Sequence, residues 1–191
     1  MTELPVNINI PSRAWTKSKP PKRILAIRLQ AMGDLVITLP YLQQLKRMLP
    51  PDSKLDLLTR KEVEAIPRHI HLFDHVYSIG GGRNGKKQIL YTCWLLPKLL
   101  LQRYDVVIDL QDNIISHIIK RSLLPNAWSI FDRLSPIAAG ESTRLTIEAI
   151  GLGKCFRDPY FSVLEISPPI AGMLPKLRSV LLVFLYPSCV Q

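Results

Sequence analysis

Apolar residues gather in short dense runs along the chain, separated by stretches with helical spacing. Runs of this density, bounded by turn residues, predict strands buried on both faces at about 24–29, 55–59, 75–79, 105–110 and 127–131. After the first run comes a turn, Ala31-Met32-Gly33-Asp34. Leu42, Leu45 and Leu49 then recur at helical intervals until Pro50-Pro51 stops them. A short helix is expected over 61–66, ended by Pro67. A very apolar helix is expected over 89–101, interrupted by Pro97 and Lys98. Over 113–123, Ile114, Ile115, Ile118 and Ile119 fall towards one side of a helix and Asn113, Ser116 and Lys120 on the other. A last helix, "STRLTIEAIGLG", meets a glycine stop at Gly151.

Strand and helix alternate about five times. This order predicts a Rossmann-like α/β domain: a parallel sheet with helices on both faces. Ligands of such sheets bind outside the carboxyl ends of the strands. The functional rim is therefore expected to carry 30–34, 59–61, 80–87, 109–113 and 132–135. Three segments are expected: a loose basic arm at 1–21, the Rossmann-like domain at 22–166, and a linker with one further strand at 167–191. "SVLLVFL" at 179–185 reads as a buried strand without neighbours, the opening of a second, truncated domain.

The formal net charge of +10 in 191 residues adds an expected anionic partner: nucleic acid, an anionic membrane surface or a phosphorylated substrate. Aromatic residues are only 7% and do not interleave with the basic ones, which disfavours nucleic-acid recognition by stacking. The three cysteines are widely spaced with no C-x-x-C pair, so a reducing cytoplasm is expected and no zinc site. No signal peptide is apparent. The helix at 89–101 falls short of the ~20 residues that span a bilayer. It suits a core position or a membrane surface.

"GGGRNGKK" (80–87) nearly spells a phosphate-binding loop, but Lys87 stands where a hydroxyl would hold Mg²⁺. A mobile basic loop is the plainer reading. The first strand-turn-helix has Gly33 but no G-x-G-x-x-G, so no dinucleotide site is indicated. The histidines lack ligands at metal-binding spacing. Asp34 has two candidate roles, an N-cap of the following helix or a base for a substrate hydroxyl. Asp109, within "VVIDLQ", reads as structural.

"ILAIRLQAMGDLVITLPYLQQLK" resembles the opening of family 9 glycosyltransferases, the bacterial heptosyltransferases of the lipopolysaccharide inner core. "YDVVIDLQDNIISHIIKR" resembles that family's "YD-x-VIDLQ" strand and following helix. "FDRLSPIAAGESTRLTIEAIGL" and "SVLLVFLYPSCVQ" resemble later segments, except that Pro187-Ser188 replaces the usual Pro-Gly. The resemblance covers roughly 22–191.

It implies the N-terminal, acceptor-binding half of a GT-B enzyme, with the donor-binding half truncated after its first strand. The implied reaction is metal-free, inverting transfer of a heptose from ADP-heptose to a lipid-anchored, anionic acceptor sugar. No cofactor is implied, and the donor would be held by the missing domain. The implied place is the cytoplasm, peripheral at the inner membrane. By the resemblance Asp34 is the general base, and Gly33 beside Met32 lets the backbone approach the acceptor. Arg60, Lys61, Lys120 and Arg121 are expected at or near the rim to pair with acceptor anions. The alternative is a non-catalytic Rossmann-like module that binds an anionic glycan or nucleic acid.

Overall fold

A strand with apolar residues at every position needs cover on both faces, and the helices supply it. The computed structural model describes residues 10–29, 31–82, 84–132 and 139–152. Its strands are β1 (Ser12–Arg13), β2 (Arg23–Ile27), β3 (Lys54–Arg60), β4 (Val76–Ile79), β5 (Val106–Asp109) and β6 (Ala127–Ile130). They form one sheet in the order β1-β6-β5-β2-β3-β4. β2 to β6 are parallel to their neighbours, while β1 runs antiparallel to β6.

Alternate side chains of β2 point to opposite faces. Ile24 and Ala26 join Leu35, Leu42 and Leu45 of α1 (Met32–Met48) and Ile147 of α5 (Ala139–Glu148) in one core. Leu25 and Ile27 join Leu95 and Leu99 of α3 (Gly85–Gln102) and Ile115 and Ile119 of α4 (Ile114–Leu123) in the other. A smaller cluster fixes α2 (Ala65–Ile70) to α1 through Leu39, Ile66 and Ile70.

β2 pairs with β3 on one side and β5 on the other. The crossovers from β2 to β3 and from β4 to β5 therefore leave in opposite directions, opening a crevice at the carboxyl ends of β2 and β5.

Several local expectations shift. The helix after the first turn begins at Met32 and carries Pro40 inside it. Pro67 is the third residue of α2, where a backbone N–H would have no intrahelical partner, so it opens the helix instead of ending it. A 3-10 turn covers Lys61–Val63 before it. α3 begins at Gly85, capped by the Asn84 side chain accepting from the Lys87 N–H at 3.2 Å, and runs through Pro97. Lys86 and Lys87 are thus the first turn of a helix rather than a mobile loop.

The loose arm expected over 1–21 does not hold for 10–21. Ser12 and Arg13 pair with β6, and Trp15 is buried with its backbone N–H donating to the Ile150 carbonyl at 2.7 Å. One large aromatic supplies enough apolar area to pin a polar segment. The expected strand at 179–185 and the linker at 167–169 lie outside the described residues.

Candidate active site

Arg28 and Leu29 follow Ile27, the last residue of β2, ahead of the turn into α1. Arg28 is only 5% exposed, and an unpaired guanidinium there would be costly. Three groups compensate. Nη1 donates to the Leu110 carbonyl, Nη2 lies 2.9 Å from Oδ2 of Asp34, and the Phe131 ring lies 5.2 Å from the guanidinium carbon. Burial lowers the Arg28 pKa, and the Asp34 carboxylate opposes that shift through charge and hydrogen bonding, with Asp109 adding a smaller opposing charge.

Asp34 is the third residue of α1, with its side chain 41% exposed. It is not the N-cap. Ala31 holds that place, without a side-chain bond, and takes the positive φ of 39° that the turn requires. The capping role weighed for Asp34 is thereby corrected: its carboxylate turns back to Arg28. It still lies in the helix first turn, where the dipole favours a negative charge. Asp34 stands at the carboxyl end of β2, as expected from the sequence. Oδ1 has no hydrogen-bond partner among the described residues and is available to a ligand hydroxyl.

Met32 and Gly33 are exposed at the same turn. A Cβ added at Gly33 would meet nothing within 4 Å, so packing within the chain does not require glycine there.

Across the crevice, the β5 end is braced by its own loop. Asp109 is fully buried, and its Oδ1 accepts from the N–H groups of Gln111 and Asp112 at 3.0 Å each. Burial pushes the Asp109 carboxyl up, against the pull of these and other hydrogen bonds. Gln111 Oε1 accepts from the Leu29 N–H at 2.9 Å, which ties the two strand ends together. Asp109 is a structural brace, as the sequence reading held. Nε2 of His117 lies 2.9 Å from Oδ1 of Asp112, and both line a cavity of about 500 Å³ with Gly85, Ile89, Asn113 and Ile114.

Arg60 joins the rim on the other side. It lines a cavity of about 260 Å³ with Leu29, Ala31, Glu62, Val63 and Gly82. It is already engaged, donating to the Gly82 carbonyl and pairing with Glu62 at 3.2 Å. Lys61 is exposed and ion-paired with Glu64. Lys120 and Arg121 do not reach this rim. They lie in the last turn of α4, which runs from the carboxyl end of β5 back towards the amino end of β6. There they border a separate cavity of about 370 Å³ with Arg13, Leu124, Pro125 and Trp128. The Lys120 ammonium sits 4.0 Å from the Trp128 ring centroid, and burial lowers its pKa. Their expected place at or near the rim is corrected by the direction of α4.

The sequence reading missed Arg28 and Gln111. Arg28 was visible as the one charge inside the apolar run "ILAIRL", and such a charge needs a partner. Among the described residues no three His, Cys, Asp or Glu side chains form a group that could hold a metal ion.

The sequence matches no family model and no curated protein. Solved structures do match. A family 9 glycosyltransferase from Veillonella parvula is similar at TM-score 0.60 and 16% identity, over 69% of this chain and 41% of its own. Escherichia coli heptosyltransferase WaaC with ADP is similar at TM-score 0.51 and 21% identity, over 68% of this chain and 47% of its own. The same enzyme with ADP-2-deoxy-2-fluoro heptose gives 0.50 and 20%, over 68% and 48%. The chain spans less than half the length of these structures. Its Rossmann-like sheet, with an Arg28-bound carboxylate at the crevice, therefore has the fold of part of a family 9 glycosyltransferase.

Proposed function

We propose that this chain is the acceptor-side part of a heptosyltransferase-like glycosyltransferase, with Asp34 as the general base. The observation that carries the reading is the half-exposed Asp34 carboxylate, held by buried Arg28 where β2 meets the crevice. A base for an acceptor hydroxyl must be fixed in direction yet open to the substrate. One oxygen anchored and the other available meets both needs.

The acceptor hydroxyl gives its proton to Asp34 as its oxygen attacks the anomeric carbon of the donor sugar. The bond from that carbon to the diphosphate breaks, and the nucleoside diphosphate leaves with the electron pair. Attack from the side opposite the leaving group inverts the configuration. The proposed donor is ADP-heptose, supported by the similar Escherichia coli heptosyltransferase, which is known with ADP and with ADP-2-deoxy-2-fluoro heptose. The proposed acceptor is an anionic inner-core sugar, supported by the chain's net charge of +10. Met32, Gly33 and Arg60 are the residues proposed to meet it, and Lys61 lies next along the rim. The donor is proposed to bind a second domain.

The test joins this chain to the donor-binding part of a family 9 enzyme and follows single-turnover transfer from ADP-heptose to an inner-core acceptor. Asp34→Asn should lower transfer by ~10²–10⁴ with acceptor affinity nearly unchanged. Undiminished transfer would remove Asp34 as the base. Acceptor binding without transfer by either protein would favour the binding-module alternative.

A further inference from the structure

Helix α3 packs its Thr92, Leu95 and Leu99 onto the sheet, as an amphipathic helix should. Its opposite face is not polar. Trp94 is 82% exposed, Leu101 81% and Leu90 70%. At about 100° per residue, Leu90, Trp94, Pro97 and Leu101 fall within an arc of about 60°. This makes a stripe roughly 16 Å long at the helical rise of about 1.5 Å per residue. Tyr91, Leu100 and Ile89 widen it, each 42–49% exposed. A soluble surface tolerates scattered apolar residues, but a continuous strip with its largest aromatic in the middle marks a contact surface.

The charges around the strip say what covers it. Lys86 and Lys87 flank it at the N-terminal end, and Lys98 lies beside its middle, with its ammonium 5.4 Å from the Tyr77 ring centroid. Arg103 follows at the helix end. No Asp or Glu occurs anywhere from 75 to 104. A protein partner's interface would commonly mix signs. An apolar strip with Trp and Tyr, on a helix that carries cations and no carboxylate, complements a surface that is apolar inside and anionic outside. No described helix is long and apolar enough to cross a membrane, so the contact is one of lying on, not spanning. The strip also has a direction. Its Ile89 end reaches the 500 Å³ cavity at the carboxyl rim, which Ile114, 73% exposed, also lines.

We propose that the outward face of α3 docks this protein on an anionic phospholipid bilayer, with Leu90, Trp94 and Leu101 immersed among the headgroups and Lys86, Lys87 and Lys98 bound to lipid phosphates. The proposal extends the acceptor-side reading, since a lipid-anchored acceptor lies at such a surface. Docking and sugar transfer are nevertheless measured separately. Transfer to a detergent-dispersed acceptor without vesicle binding would sink the docking alone. Vesicle binding without transfer would sink the enzymatic reading alone.

The test uses the 191-residue chain and vesicles of phosphatidylglycerol with phosphatidylethanolamine, against vesicles of phosphatidylcholine alone. Co-sedimentation should be at least about ten-fold stronger on the anionic vesicles and should weaken with salt. Lipids brominated near the glycerol backbone should quench the protein's fluorescence, and Trp94→Phe should abolish that quenching while leaving binding largely in place. The paired variant Trp94→Glu, Leu101→Glu should weaken binding at least about ten-fold, because charge replaces the immersed apolar surface. Both side chains point away from the core, and an unchanged thermal melt verifies that the variant is folded. Three results overturn the proposal: equal affinity for neutral and anionic vesicles, quenching that survives Trp94→Phe, or no vesicle binding together with concentration-dependent self-association lost in the paired variant. The last outcome would assign the strip to a second copy of the chain.

Discussion

The Arg28 guanidinium and the Asp34 carboxylate meet at 2.9 Å, joining the end of β2 to the first turn of α1 across a positive-φ residue at Ala31. Arg28 also spans to the Leu110 carbonyl beyond β5. One side chain thus fixes the candidate base and closes the crevice floor.

Arg28→Met should be strongly destabilising. It keeps much of the apolar stem but leaves the Leu110 carbonyl without its donor, and a buried unpaired group costs ~1–3 kcal/mol. The freed Asp34 is exposed enough to be solvated, so the loss should stay within that order. Arg28→Lys should recover only part of it, because one ammonium does not reproduce the planar fork that serves both partners. Urea denaturation reads both. A Lys variant as stable as the parent would mean that the two-ended bridge contributes little.

Tyr104→Phe tests the buried polar pair on the other side of the sheet. The Tyr104 hydroxyl donates to Oδ2 of buried Asp56 at 2.6 Å, while Oδ1 accepts from the His75 N–H at 3.0 Å. Burial, and then the neighbouring Asp56 carboxylate, hold the Tyr104 pKa far above its usual value, so the phenol remains a donor throughout the working pH range. Removing it leaves one carboxylate oxygen short of its donor. The expected loss is ~1–3 kcal/mol by denaturation. A neutral result would show that solvent replaces the hydroxyl.

The acid limb of stability should depend on Asp74. Burial raises its pKa, but the Lys46 ammonium at 2.7 Å, the Leu55 N–H and nearby Lys54 outweigh burial, and the net shift is downward. A carboxyl depressed in the folded state adds stability that is present above its unfolded pKa of ~3.9 and is lost as pH falls through the folded value. Asp74→Asn should therefore lower Tm near neutrality and flatten the fall of Tm below about pH 4. Thermal melts at several pH values read the slope. An unchanged acid slope would place the sensitivity in other carboxylates.

The sheet was legible because burial on both faces writes itself into a strand as an unbroken apolar run. "ILAIRL" and "YDVVIDL" are such runs, and the two central strands follow them. Helix extents were less legible, because a proline stops a helix only when its ring clashes or its missing N–H is needed. Pro67 avoids both at a helix start, while Pro40 and Pro97 are carried by helices anchored in the core. Asp34 could be placed by its position after the first strand. Its partner could not, since an ion pair depends on how the turn bends, and that bend sits at Ala31 rather than Gly33. The basic residues were the least legible. Lys120 and Arg121 are one α4 length away from the rim that their sequence neighbours Asp112 and Asn113 line.

Trp15 and Ile150, joined by a 2.7 Å hydrogen bond, also share one apolar cluster, and a Cβ at Gly151 would stand 3.4 Å from that of Ala14. The stretch entering β2 and the stretch leaving α5 are thus clasped at the amino end of the sheet. Tension on either stretch would be borne by this clasp before it reached β2. The opposite pole, where Arg28 holds Asp34, is mechanically sheltered.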